Sequence, residues 1–203
     1  PFNNDSYTCG HPSLSPDGKT LYFASDMPGG FGGKDIWMSA WDANANAWGT
    51  PANLGTTVNS EGDEMFPRMA TNGRLYYSSN GKPGMGGLDM FYTTNDAGSW
   101  AEPTNLKSPI NSGGDDFGVI FNSETTGYFS SNRAGGQGAD DIYSFVVPPL
   151  KLNVGGRVYD TDTKESLEGA TVELFGSDGT SLSVRTGADG MYTYPLKPNV
   201  KYK

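Results

Sequence analysis

Histidine and cysteine are almost missing from this chain: His11 and Cys9 are the sole representatives of their types in 203 residues. One thiol cannot form an internal disulfide framework, and one His with one Cys cannot supply the four ligands of a structural zinc site. Basic residues are scarce too, with 14 Lys and Arg against 23 Asp and Glu and a formal net charge of −9. A nucleic-acid surface needs a basic footprint to neutralise phosphates, so nucleic acid is excluded as a partner. No run of about eighteen apolar residues, enough to span a bilayer as a helix, occurs anywhere. Nor does any segment carry an apolar period of about 3.6 residues long enough for a stable helix. The chain opens at Pro1, without a signal peptide or initiator Met, which reads as a processed fragment.

Glycine and aromatic residues are plentiful instead. The 29 glycines follow no every-third-residue period, which excludes collagen, and an aromatic content of 12% is too high for a disordered chain. Self-similarity organises the rest. Leu21-Tyr22-Phe23-Ala24-Ser25-Asp26, Leu75-Tyr76-Tyr77-Ser78-Ser79-Asn80 and Gly127-Tyr128-Phe129-Ser130-Ser131-Asn132 are versions of one block. A glycine-rich loop follows each, and then a strand led by aspartate: Asp35-Ile36-Trp37, Asp89-Met90-Phe91 and Asp141-Ile142-Tyr143. The spacing is 54 residues from Tyr22 to Tyr76 and 52 from Tyr76 to Tyr128, and the three aspartates keep the same intervals. Between the blocks, Trp48-Gly-Thr-Pro51-Ala-Asn53-Leu54 is matched by Trp100-Ala-Glu-Pro103-Thr-Asn105-Leu106, and Val58–Glu64 by Ile110–Asp116.

Each repeat reads as short strands, because aromatic and β-branched clusters alternate with Gly, Pro, Asn and Asp. Asp17-Gly18 and Asn72-Gly73 supply the positive φ of hairpin turns. Four strands in roughly fifty residues is the pattern of a β-propeller blade, so the expected fold class is all-β. Three four-stranded blades over 1–146 make a partial propeller, an incomplete ring. Further blades are expected upstream in the parent protein, the favoured reading, or in another chain. Val146-Val147-Pro148-Pro149-Leu150 reads as a stiff linker over 147–151. From 152 to 203 the repeat gives way to period-two alternation, as at Ala170, Val172 and Leu174, with turns at Gly176–Gly179 and Gly187–Gly190.

The block Pro12-Ser-Leu-Ser-Pro-Asp-Gly-Lys-Thr-Leu-Tyr-Phe23 resembles the WD-like repeat of TolB-type and OmpA-associated periplasmic proteins. Ser130–Tyr143 is similar to the variety common in envelope lipoproteins of Bacteroidetes. Gly156-Arg157-Val158-Tyr159-Asp160, Leu167–Val172 and Thr186–Tyr192 resemble the carboxypeptidase-regulatory-like domain, a small prealbumin-like β-sandwich without catalytic residues. That family normally has at least one strand beyond Lys203, so the sandwich is expected to be truncated. The resemblance implies a periplasmic, outer-membrane-associated protein that is not an enzyme and needs no cofactor. It further implies a scaffold of the type IX secretion or gliding apparatus, partnered by outer-membrane or secretion proteins. Peptidoglycan contact would fall to an OmpA-like domain outside these residues. The alternatives are a periplasmic glycan- or peptide-binding propeller, with Trp37, Trp41, Trp48 and Trp100 as stacking candidates, and an accessory propeller of a hydrolase.

Several features invite other chemistry. Asp35, Asp89 and Asp141 could be read as calcium or catalytic carboxylates, but recurrence in every repeat points to hydrogen bonding of their own loops. The loops 59–64 and 111–116 hold oxygen ligands without EF-hand spacing, and Asp160-Thr161-Asp162 runs on into Lys164; no metal is assigned. Gly29–Gly33 and Gly84–Gly87 precede strands, whereas a nucleotide loop opens a helix. No G-x-S-x-G elbow is present. His11 and Ser13 lie on one strand, and His11 aligns with Phe66, so a packed histidine is expected. Cys9 follows no apolar stretch and reads as a small, semi-buried side chain rather than a lipidation site.

Up-and-down topology gathers the loops 26–34, 80–88 and 132–140 at one end of the blades, with 58–66 and 110–117 beside them. That end collects Met27, Phe31, Lys34, Lys82, Met85, Arg133 and Gln137. Apolar and long cationic side chains on loops over a rigid scaffold make these the expected partner-binding residues.

Overall fold

The computed structural model describes residues 2–123, 125–148 and 151–203. The turn expected at 123–127 and the linker expected at 147–151 thus fall partly outside the described residues, at Glu124 and at Pro149 and Leu150. The described chain is all-β, and its contacts divide it into two compact units, Pro1–Val147 and Pro148–Lys203.

The first unit is built from three antiparallel sheets in chain order. The first holds β1 (Cys9–Leu14), β2 (Thr20–Ser25), β3 (Asp35–Asp42), β4 (Ala47–Trp48) and β5 (Ala52–Asn53). The second repeats it as β6 (Glu64–Met69), β7 (Arg74–Ser79), β8 (Asp89–Asp96), β9 (Ser99–Trp100) and β10 (Thr104–Asn105). The third has β11 (Asp116–Phe121), β12 (Thr126–Ser131) and β13 (Asp141–Val146). Four strands per repeat were expected; the outer place of the first two sheets is shared by two short strands, and the third sheet has three among the described residues. The interruption falls where Pro51 and Pro103 stand between the short strands, since proline has no N–H to donate to a ladder.

Register alternation decides what is buried. On β2, Tyr22 and Ala24 point to one side and Phe23 to the other, and β7 and β12 follow the same rule. Tyr22, Ala24 and Ile36 of the first sheet pack with Leu75, Tyr77 and Phe91 of the second around Leu54 and Val58. One repeat on, Tyr76 and Met90 pack against Val119 and Phe129 of the third. Full burial of such side chains stabilises by about 1.5–3 kcal/mol each, and the alternating pattern delivers them in layers. Phe23 and Trp37, on the far side of the first sheet, are covered by Phe2, Tyr7 and Cys9.

The first strand of each of these three sheets carries a bulge. The pairing slips between Gly10 and Ser13, between Met65 and Arg68, and between Phe117 and Ile120. The left-handed residue is His11 (φ 51°), Phe66 (φ 54°) and Gly118 (φ 69°) in turn. Non-glycine residues tolerate this conformation only where the surroundings hold it. Here the rings do so: His11 stacks on Phe66 with centroids 3.9 Å apart, and Phe66 stacks on Phe117 at 4.8 Å.

In the second unit, β14 (Leu152–Arg157) pairs with β17 (Met191–Leu196), and β15 (Thr171–Phe175) with β16 (Ser181–Arg185). Each strand alternates exposed and covered positions. Tyr194 is buried, and its hydroxyl donates to the Val172 carbonyl, tying β17 to β15. Phe175 and Lys203 exchange backbone hydrogen bonds, so the last residues pair with the edge of β15.

Candidate functional site

The β2–β3, β7–β8 and β12–β13 loops are one structure used three times. Asp35 Oδ2 accepts the Phe31 N–H at 2.6 Å and the Asn53 amide at 2.9 Å. Asp89 Oδ2 accepts from Met85 N at 2.7 Å and Gly86 N at 3.0 Å. Asp141 Oδ2 accepts from Gln137 N at 2.8 Å and Gly138 N at 3.2 Å. Each carboxylate thus stands under its loop and fixes the residue four positions before it. Gly30, Gly84 and Gly136 give it room, since a Cβ at any of them would collide with the carboxylate. Asp35 and Asp89 are fully buried, and the Oδ1 of each has no hydrogen-bond partner among the described residues. Among the described residues no three His, Cys, Asp or Glu side chains are grouped to hold a metal.

The first two loops are also latched to the next sheet. Gly33 N donates to Gly62 O at 2.8 Å, Lys34 N to Asp63 Oδ1 at 2.8 Å, and Glu64 N to Lys34 O at 2.6 Å. The next repeat copies this with Gly87 to Gly114 O at 3.1 Å, Leu88 to Asp115 Oδ1 at 2.7 Å and Asp116 to Leu88 O at 2.6 Å. Clamped from below, and in the first two repeats also latched at the side, the loops hold their tips outward. The tips are repeat-equivalent: Phe31 is 49% exposed, Met85 51%, and Gln137 is exposed.

The other residues expected on this surface are engaged elsewhere. Met27 is buried on Phe23 and Trp37, because the apolar far face of the first sheet lies directly beneath it. Lys82 turns inward, its Nζ donating to Thr57 O at 3.0 Å. Arg133 donates to the Pro109 and Ile110 carbonyls at 2.9 and 2.6 Å and pairs with buried Asp116 at 2.6 Å. Lys34 contributes its backbone to the latch and is half-buried. Both inward-turning cations close over carbonyls of the preceding turn, a need that their position at the start of a glycine-rich loop does not reveal.

Asn59 and Asn111, within the loops considered for calcium, are buried and mimic a peptide group. Asn59 accepts from Ile36 N at 2.8 Å and donates to Ile36 O at 3.1 Å; Asn111 does the same to Met90 at 2.8 and 2.9 Å. Asp160 caps its own turn through the N–H groups of Asp162 and Thr163, which hold its carboxyl below the ordinary range. The tryptophans pack: Trp37 is buried, Trp41 and Trp48 meet edge to face at 5.2 Å, and Trp100 meets Tyr22 at 6.4 Å.

His11 Nδ1 accepts the N–H of Phe66 at 3.3 Å, which requires the neutral ring. Burial first, and then the nearby Lys34 charge, push its pKa below 6.5. The unfolded chain therefore takes up this proton more readily than the folded one. The stability contributed is complete above about pH 6.5 and is lost as pH falls through the depressed folded value. Denaturant midpoints measured from about pH 7.5 down to about pH 5 should fall more steeply for the wild type than for His11→Phe, which keeps the stack but cannot titrate. Parallel pH profiles would show that this bond does not carry the effect.

No family model and no curated protein matches the sequence. Among solved structures, the chain is similar to one from a structural and mechanistic study of two prolyl endopeptidases, with 12% identity and a TM-score of 0.43. The match covers 99% of this chain and 28% of that one, so the chain spans little more than a quarter of its length. A likeness at that level carries no argument about chemistry.

Proposed function

We propose that this chain is a non-enzymatic protein-interaction scaffold of the cell envelope, a set of propeller-type blades followed by a β-sandwich. The observation that carries the reading is the row of repeat-equivalent tips, Phe31, Met85 and Gln137, held outward by the aspartate clamps. Exposed apolar side chains on rigidly held loops bind with little ordering cost, because the loop geometry is set before the partner arrives. The WD-like and carboxypeptidase-regulatory-like motifs support a periplasmic, outer-membrane-associated setting. They also support a place in the type IX secretion or gliding apparatus, with envelope proteins as the partners.

A photo-reactive amino acid placed at position 31 or 85 in living cells should cross-link to an envelope protein. The same probe at Asn44, on the turn at the other end of β3, should not. With that partner purified, the double variant Phe31→Ser/Met85→Ser should bind at least about tenfold more weakly, as truncation of central interface side chains does. The clamping N–H groups belong to the backbone and survive the substitution. Equal cross-linking at positions 31, 85 and 44, or unchanged affinity in the double variant, would remove the tips from the interface.

A further inference from the structure

The turns that follow β1, β6 and β11 converge on one cavity of about 470 Å³, a size that holds a small ligand or the end of a peptide. Leu14 walls it from the first sheet, Arg68 from the second, and Phe121 and Asn122 from the third, so its shape is set within this unit. A second cavity of about 270 Å³ adjoins it along the first strands, past Ser13 and Phe66, and the two share Arg68.

The charge of this lining runs against that of the chain. The sequence holds 23 acidic residues, and the described lining of both cavities holds none. Arg68 is exposed there, and among the described residues it belongs to no ion pair. The other two arginines of this unit serve the fold: Arg133 pairs with Asp116, and Arg74 lies 4.2 Å from the centre of the Tyr92 ring. The repeat itself does not require a cation at this position. Ser13, Arg68 and Ile120 occupy one register place, opposite Tyr22, Tyr76 and Tyr128. Ser13 is buried and its hydroxyl accepts Met69 N at 3.4 Å, so the first repeat fills the place with a small residue that bridges two sheets. The second repeat puts a long, unpaired cation there instead, at the junction of two cavities.

We propose that this groove binds the C-terminus of an extended peptide whose last side chain is apolar. A guanidinium offers paired N–H donors that fit a carboxylate bidentately, and here no acid in the described lining competes for them. Leu14 is 48% exposed and Phe121 half-buried, which gives the terminal side chain apolar surface beside Arg68. Asn122 accepts the Thr126 hydroxyl through Oδ1, and its amide N–H groups remain as donors for a peptide carbonyl. The adjoining cavity gives the preceding residues a path that a small carboxylate would leave empty. The site lies at the opposite end of β2, β7 and β12 from Phe31, Met85 and Gln137, and the inference is independent of the loop-tip reading.

Hexapeptides with free C-termini, varied at their last three residues and labelled with a fluorophore at the N-terminus, test this when titrated with the full chain and read by anisotropy. The expected result is binding with a Kd below about 1 mM by members that end in an apolar residue. The C-terminal amide of the best binder should bind at least about tenfold more weakly, and so should the free acid to Arg68→Gln. Arg68 is exposed, so circular dichroism should show the variant folded. Lys19→Gln removes the same charge from a neighbouring turn outside the lining and should bind as the wild type does. No member binding below about 1 mM overturns the proposal, as does an amide that binds like the acid or an Arg68→Gln variant that binds like the wild type. If N-acetyl-leucine competes as strongly as the unlabelled hexapeptide, the occupant is a small carboxylate and the peptide assignment falls.

Discussion

Replacing Arg133 with alanine is expected to destabilise the first unit by about 3–5 kcal/mol, the range seen when one member of a buried ion pair is removed. Asp116 is completely buried, and its Oδ1 receives Arg133 Nη2 at 2.6 Å and Ser131 Oγ at 2.5 Å. The guanidinium is also a structural cap: it donates to the Pro109 and Ile110 carbonyls and to Ser131 Oγ. It lies over the Phe129 and Tyr143 rings at 4.9 Å from each. Truncation leaves a buried carboxylate with hydroxyl and amide donors only, and uncovers two aromatic faces. The preceding repeat supplies the control. There Glu64 is equally buried, but its longer side chain takes Ser60 N at 2.7 Å and both Ser60 Oγ and Ser79 Oγ at 2.5 Å without a cation. Among the described residues the Lys82 ammonium reaches only the Thr57 carbonyl, so Lys82→Ala should cost about 1 kcal/mol or less. Arg133→Ala/Asp116→Asn should recover part of the loss by removing the unpaired charge. Urea denaturation of the four proteins separates these outcomes. A loss below about 1 kcal/mol for Arg133→Ala would make the pair a surface contact in effect.

These neighbouring repeats show what the sequence makes legible and where legibility stops. The turns at Asp17-Gly18 and Asn72-Gly73 could be read because only glycine takes the needed conformation cheaply, and Gly18 and Gly73 have φ of 69° and 77°. The loop aspartates could be read too, since a carboxylate recurring beside glycines has backbone N–H groups within reach. The bulges could not, because His11 and Phe66 enter the left-handed region through stacking between sheets, which no local pattern announces. Asn59 and Asn111 were candidate oxygen ligands by type; an amide side chain serves equally as a substitute peptide group, and only the register of the next sheet shows which. Arg133 and Lys82 looked exposed because long cations on glycine-rich loops usually are. One buried acid, the Ser131 hydroxyl and the carbonyls of Pro109 and Ile110 drew Arg133 inward. The first sheet varies the position again: Cys9 stands opposite Ser25 where Glu64 stands opposite Ser79, and its thiol, 3.4 Å from the Ser25 hydroxyl, takes the carboxylate's place.

Gly86→Ala should be as damaging as the loss of Arg133, for a reason invisible in any list of contacts made. A Cβ at Gly86 would collide with the Gly114 carbonyl and lie 2.7 Å from the Ser112 carbonyl and 2.8 Å from the Gly113 carbonyl carbon. All three are backbone atoms of the turn that leads into β11, so no side chain can rotate away. The methyl must push the second and third sheets apart at their latch, where Gly87 N and Leu88 N meet Gly114 O and Asp115 Oδ1. Overpacking of this kind costs about 1–3 kcal/mol in a deformable core and more where backbone must move, so about 3 kcal/mol is expected. Gly32 stands in the same relation to the Ser60 and Gly62 carbonyls one repeat earlier, which makes the close approach a property of the repeat. Gly113→Ala is the matched control, since a Cβ there meets nothing within 4 Å; its effect should stay within about 1 kcal/mol of zero. Thermal melting compares the two, and cross-linking through position 85 adds a second readout. Because Gly86 N is one of the donors that Asp89 holds, displacing this loop should lower the melting temperature and misdirect Met85 together, while Gly113→Ala changes neither. If Gly86→Ala melted as the wild type does, the latch would be loose enough to absorb a methyl group. The loop tips would then be mobile, and the rigid presentation on which the proposed partner binding depends would be lost with it.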